Sequence, residues 1–215
     1  MVDIEPEELT RFMYPDQVEA LCKGGCPNYR VRWSCPPFAP LFTDFVLQGQ
    51  RSLHLSRPRF WLILENVATA QFFNGMSDHG CSADKTLLET GIDVKTETVS
   101  ESVPVITPDL DGMTRIFVRM KELLDDLFDP MRPWGIPVSG GTCLRCSVCQ
   151  CQMNKPCLHP ERMSYSLEAL RLNVEEIAEY YFDQRLTWFD GKTVPPRLSL
   201  LGGFLTGCTL ENLFS

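Results

Sequence analysis

The stretch that decides how this chain is organised is Cys143-Leu-Arg-Cys146-Ser-Val-Cys149-Gln-Cys151-Gln-Met-Asn-Lys-Pro-Cys157, which directly follows Ser139-Gly140-Gly141. Five of the chain's ten cysteines lie in these fifteen residues. Cys143, Cys146 and Cys149 are spaced three apart, so one turning loop can present three sulfurs to one side, and Cys157 can close the set from the far end. The spacing C-x-x-C-x-x-C, with a later cysteine and Pro160 behind it, is how chains wrap an iron–sulfur cluster. Cys143, Cys146, Cys149 and Cys157 are therefore the expected ligands of a [4Fe-4S] cluster. Cys151 competes with Cys149 for the third position, and the spacing favours Cys149. A tetrahedral zinc site uses the same four thiolates, but zinc knuckles more often pair two C-x-x-C units a dozen or more residues apart.

A second, sparser group lies upstream as Cys22-Lys-Gly-Gly-Cys26 and Trp33-Ser-Cys35-Pro36-Pro37. Three thiols are a weaker signal than four. Gly24 and Gly25 allow close backbone approach, the prolines stiffen the loop, and Tyr29 and Trp33 can shield a metal from water. If Cys22, Cys26 and Cys35 hold a second cluster, one iron lacks a protein sulfur. An open coordination position is what makes a metal site catalytic. Cys81 and Cys208 are minor candidates for that position, and Cys208 reads better as a small buried hydrophobe. His54, His79 and His159 are not paired at ligand spacing, although His159 is near enough to Cys157 to tune a cluster.

Composition bounds the rest. The chain has 215 residues, 44% of them hydrophobic and 22% charged, enough for a sizeable core. A net charge of -8 and a pI near 4.9 argue against nucleic acid, whose phosphates need clustered Lys and Arg. No run approaches the roughly 20 apolar residues of a membrane span. The acidic N-terminus is unlike the basic start of a signal peptide, so the expected compartment is the cytoplasm, where close C-x-x-C pairs favour metal over disulfides.

The expected architecture is α+β: a single compact domain over 1–215 with a small sheet, several helices and two cysteine-rich metal-binding loops, at 22–37 and 139–161. The segment up to about Asp16 reads as polar and either capping or frayed. Helices are expected from Asp16 to Leu21, with Asp16 as N-cap, from Leu41 to Leu47, from Ile116 to Leu127, and from Ser166 to Tyr180. Phe60-Trp-Leu-Ile-Leu64 reads as a buried strand, and Leu198 to Leu205 as a closing strand bent at Gly202-Gly203. Residues 77–113 form an acidic excursion. No dinucleotide fingerprint is present, and the pairs Asp125-Asp126 and Glu175-Glu176 read as solvated helix faces.

Cys22-x-x-x-Cys26-x-x-Tyr29, Trp33-x-Cys35-Pro36-Pro37, Gly140-Gly141-x-Cys143-x-x-Cys146-x-x-Cys149, Pro156-Cys157-x-x-Pro160-Glu161 and Ser166-Leu-Glu-Ala169 together resemble the uncharacterised, predicted metal-binding family called domain of unknown function 2284. The resemblance runs to about Val174. It implies a cytoplasmic protein of anaerobic bacteria and archaea whose cysteines bind metal or iron–sulfur clusters, and it supplies no reaction. The chain departs from the family pattern at Leu158, where an arginine is common, at Arg30, where a glycine is frequent, and in the extra Cys151.

The expected function is electron transfer or redox chemistry, with a redox partner protein or a small-molecule substrate. The acidic charge suits a basic partner. Two alternatives stand beside it. One is an enzyme using the open iron as a Lewis acid, of desulfidase or dehydratase type. The other is a zinc-stabilised binding module.

Overall fold

The computed structural model describes residues 1–68, 110–188 and 195–209. Within them the chain runs β1 (Val2–Ile4), α1 (Pro15–Gly25), α2 (Phe42–Ser52), β2 (Arg59–Ala68), α3 (Leu110–Phe128), β3 (Gly135–Val138), α4 (Val174–Phe182) and β4 (Arg197–Thr206), with short 3-10 turns between. The four strands form an antiparallel sheet in the order β1-β2-β4-β3. This is the expected α+β architecture. Most of the acidic excursion at 77–113, with Cys81 and His79, lies outside the described residues.

The apolar runs read as strands are buried on both sides. Alternation divides them: Phe60, Leu62, Leu201 and Leu205 face a core shared with α2 and α4, while Trp61, Ile63, Leu200 and Phe204 face a second core under α3. Ile116, Met120, Leu124 and Phe128 supply the helical side of that second core.

The glycine pair of β4 meets a packing requirement at the middle of this sheet. Gly202 and Gly203 lie opposite Ile63 and Leu62 in an unbroken ladder. A β-carbon at Gly203 would stand 2.8 Å from the Trp61 carbonyl oxygen and closer still to the Phe60 ring; at Gly202 it would stand 2.8 Å from the Val138 carbonyl. The pair lets β2, β3 and the rings packed on β4 close up.

Several expectations need correction. The first residues are not frayed. Val2–Ile4 pairs with β2, Pro6–Phe12 forms a 3-10 turn, and Ile4, Leu9 and Phe12 enter the core. Helix α1 starts at Pro15 with Tyr14 in the cap position, because a proline at the first position needs no N–H partner, and Gly24 and Gly25 form its last turn. The stretch after Ser166 is not one helix. Residues 166–170 make a turn, Arg171 takes the left-handed region (φ 67), and Asn173 opens α4 by accepting from the N–H groups of Glu175 and Glu176. Asp125 is not a solvated residue: it is buried, 3.5 Å from the Lys121 Nζ and 3.7 Å from Arg145. Cys208 is exposed, not buried.

Among the described residues no helix is long and apolar enough to cross a membrane.

A Gly203→Val substitution should cost at least about 2 kcal/mol, since the added carbons meet a ring and a backbone oxygen and the strand cannot retreat. Chemical denaturation of the variant against the parent measures this.

Candidate metal centre

The dense cysteine loop is tied shut at its stem. Val138 forms a parallel bridge with Tyr165, and the Ser139 N–H donates to the Tyr165 carbonyl at 2.8 Å. Lys121, buried in α3, donates from Nζ to the Ser139 hydroxyl at 2.8 Å and to the Ser164 hydroxyl at 3.3 Å. One ammonium thus holds both ends of the loop. Ser139 is fully buried, and a β-carbon at Gly140 would meet Leu200, so this approach is packed and not a flexible hinge. Gly141 sits at φ 65, where a β-carbon would also strike Phe117.

Beyond the stem, Cys143, Cys146, Cys149 and Cys157 line one small recess of about 20 Å³, walled also by Arg32 and Trp33 and flanked by His159. Cys151 is not part of it. The 3-10 turn at Gln150–Met153 turns its side chain inward, where the buried thiol donates to the Arg30 carbonyl at 3.8 Å. Among the described residues no three Cys, His, Asp or Glu side chains are close enough to grip one ion.

The sparse group gathers at the end of α1. The Cys26 N–H donates to the Cys22 carbonyl, Tyr29 N–H to the Cys26 carbonyl, and Arg30, at φ 62, closes the loop through its N–H to Pro36. Cys35 is buried, and its sulfur lies 3.4 Å from the Thr142 hydroxyl. Burial, then the charges of Cys26, Glu168 and Cys35, push the Cys22 thiol up to about 11. Burial likewise raises Cys35, against the hydroxyls of Thr142 and Ser34. At Cys146 burial acts first, then the neighbouring Cys157, Cys143 and Cys149. Thiols crowded in this way hold their protons unless a cation offsets the thiolate charge.

The two groups are one structure. Arg32 donates from Nη1 to the Cys143 carbonyl at 3.2 Å, the Cys143 N–H donates to the Ser34 hydroxyl at 3.3 Å, and the Trp33 indole donates to the Lys155 carbonyl at 2.9 Å. Thr142, next to Cys143, touches Cys35 of the first loop. Cys151 sits between them, its thiol raised by burial and by the charges of Cys149 and Cys35. Nothing in the sequence singles out Arg32 or Arg145; Lys121 is marked there only by its place among Phe117, Leu124 and Phe128 on one helical face.

Arg145, inside the cluster motif, is anchored from outside. Its Nη1 donates to Asp129 Oδ2 at 2.8 Å, while Arg132 and Arg162 share the same carboxylate at 2.8 and 3.0 Å. Partial burial alone would raise Asp129, but hydrogen bonds from Arg132, Arg145 and Arg162 outweigh it and hold the carboxyl at about 2.

An α+β chain with eight thiols in two interlocked loops falls in the class of candidate metal-binding proteins. Residues 70–201 match the model of the family described as predicted metal-binding protein (DUF2284). The chain belongs to that family. The matched stretch contains the dense loop and begins after Cys22, Cys26 and Cys35. No curated protein and no solved structure shows a significant match.

Asp129 lies below its ordinary value of 3.8 in the folded chain, so its contribution to stability is complete above about 3.8 and is lost as pH falls through about 2. Asp129→Asn should lower stability at neutral pH by about 1–2 kcal/mol, with Arg162 adding least because it is exposed to screening solvent. The gap between variant and parent should close between pH 4 and 2 in acid unfolding followed by circular dichroism.

Proposed function

We propose that this chain is an iron–sulfur redox protein of the cytoplasm, in which Cys143, Cys146, Cys149 and Cys157 hold a [4Fe-4S] cluster and Cys22, Cys26 and Cys35 hold a second beside it. The observation that carries this reading is the selection of side chains at the recess: four of the five loop cysteines face it, and the one that does not is buried against a backbone carbonyl. A cluster bound there supplies reversible one-electron transfer at a potential set by charge, hydrogen bonding and exposure.

The chain's own residues prepare the site for that charge. Arg32 and Arg145 line the recess, with Lys121 behind it, so the negative charge of four thiolates is partly offset by groups already fixed in place. Trp33 covers one wall and limits water. Leu144, Val148 and Leu158 remain exposed on the same loop, an apolar rim against which a partner can seat closely. Exposed Lys155 and Arg162 lie on the same loop, against one exposed carboxylate, Glu161, and exposed Arg30 lies on the loop that interlocks with it. The electron-exchange face is thus locally basic on a chain whose net charge is negative, and it suits a partner with an acidic patch, unlike the basic partner suggested by overall charge.

Anaerobic quantitation of iron and acid-labile sulfide tests ligand choice. Cys149→Ser should lose about four irons per chain, the content of one cluster, while Cys151→Ser should lose none. A protein purified anaerobically with zinc and no iron would overturn the reading in favour of a zinc-stabilised module.

The sign of salt dependence tests the docking face. Oxidation of the reduced protein by an anionic iron chelate should slow as ionic strength rises toward about 0.15 M, because salt screens an attraction to the rim. A rate that rises instead would show that the overall negative charge governs encounter.

A further inference from the structure

Arg145 stands between the first two cysteines of the dense loop and lines the recess together with Cys143, Cys146, Cys149 and Cys157. The end of its fork is turned to Asp129, with Nη1 donating to Oδ2 at 2.8 Å and Nη2 to Oδ1. Nη2 also lies 3.7 Å from Asp125 Oδ2. That leaves Nε, which is buried and has no hydrogen-bond partner among the described residues. An unpaired buried donor costs about 1–3 kcal/mol, and more on a charged group. Such an orphan marks a partner that the polypeptide does not itself supply.

The two carboxylates beside Arg145 do not meet that need. Asp129 is engaged by the fork and by Arg132 and Arg162. Asp125 Oδ1 is itself buried without a hydrogen bond, so it does not accept from Nε. Nor can the guanidinium turn to another acceptor, because a planar fork held at both Nη atoms is fixed in orientation. What the recess offers is sulfur from four cysteines, while Arg32 and Trp33 in its wall carry side-chain donors only. Sulfur bearing negative charge accepts a hydrogen bond from a cationic donor more strongly than a neutral thiol does.

We propose that the Arg145 Nε–H donates a hydrogen bond to a sulfur of the centre held by Cys143, Cys146, Cys149 and Cys157, and so raises its reduction potential. The assignment rests on the reading of that centre as an iron–sulfur cluster. Hydrogen bonds to the sulfurs are among the terms that fix a cluster's potential. A donor favours the reduced form, which carries one more negative charge than the oxidised form. Asp129 is then a positioning residue: by holding the end of the fork it leaves Nε for the sulfur.

Pulsed electron–nuclear double resonance of the reduced full-length protein, prepared anaerobically with nitrogen-labelled arginine, tests the assignment on the cluster signal that Cys149→Ser abolishes. The parent should show coupling from a labelled nitrogen. Arg32→Lys, which removes the other arginine of the recess, should keep that coupling, and Arg145→Lys should lose it. Arg145→Lys retains the charge and can still pair with Asp129, but has no second donor fixed beside the sulfur. Its midpoint potential should fall by about 59 mV, a tenfold weaker hold on the electron, and Arg145→Gln should fall at least as far. Iron content and circular dichroism report assembly and folding of each variant. A parent without nitrogen coupling would overturn the hydrogen bond and leave Nε to a water molecule. Coupling lost in Arg32→Lys would overturn it too, even where the Arg145 variants fail to assemble. An Arg145→Lys protein with the parent's potential would overturn the assignment in favour of charge alone. A parent with no cluster signal dependent on Cys149 would end the reading of the dense loop, and the assignment with it.

Discussion

The ten-residue pairing of β2 with β4 is the constraint on which the rest depends. It joins segments far apart in the chain, and its middle is possible only because Gly202 and Gly203 present no side chain to Phe60, Leu124 and the Val138 carbonyl. Strand β3 then adds to the other edge of β4, and Val138 ends where the cysteine loop begins. The position of the metal-binding loop is therefore set by the close approach of backbones within the sheet, and only afterwards by its own sequence.

From that anchor the charge arrangement follows. Lys121 stands on the α3 face that covers the sheet, and its burial is offset by two hydroxyls at the loop stem and by Asp125. Burial lowers its affinity for a proton, while Asp125 opposes the shift. Asp129, one turn further on, gathers three arginines, one of them from between the first two cysteines of the loop. A long loop with only two short 3-10 turns would otherwise be costly to order; here its ends are pinned by a buried ammonium and Arg145 and Arg162 by a shared carboxylate.

Interlocking of the two cysteine loops bears on the electron transfer proposed for them. Backbone groups of one loop bond side chains of the other at Arg32, Ser34 and Trp33, so the two thiol groups move together. In the proposed reading, two clusters so linked would exchange electrons within one unit, with the exposed apolar rim of the dense loop as the outer contact.

The sequence alone determined the seven thiols, the three-residue spacing that lets four of them share a recess, and the α+β pattern, because ligand type, loop turning and apolar alternation are local properties. Phe60 to Leu64 and Leu198 to Leu205 were legible as strands for the same reason. Only the tertiary structure separated Cys149 from Cys151, because their difference is a turn that directs one sulfur outward and the other toward Arg30. Only it showed the N-terminal residues as a core strand, since β1 draws its hydrogen bonds from β2. Asp125 and Arg145 gave no useful signal in the sequence: charged residues read as exposed until a partner from a distant segment is seen. Their roles come from burial, which the whole fold decides.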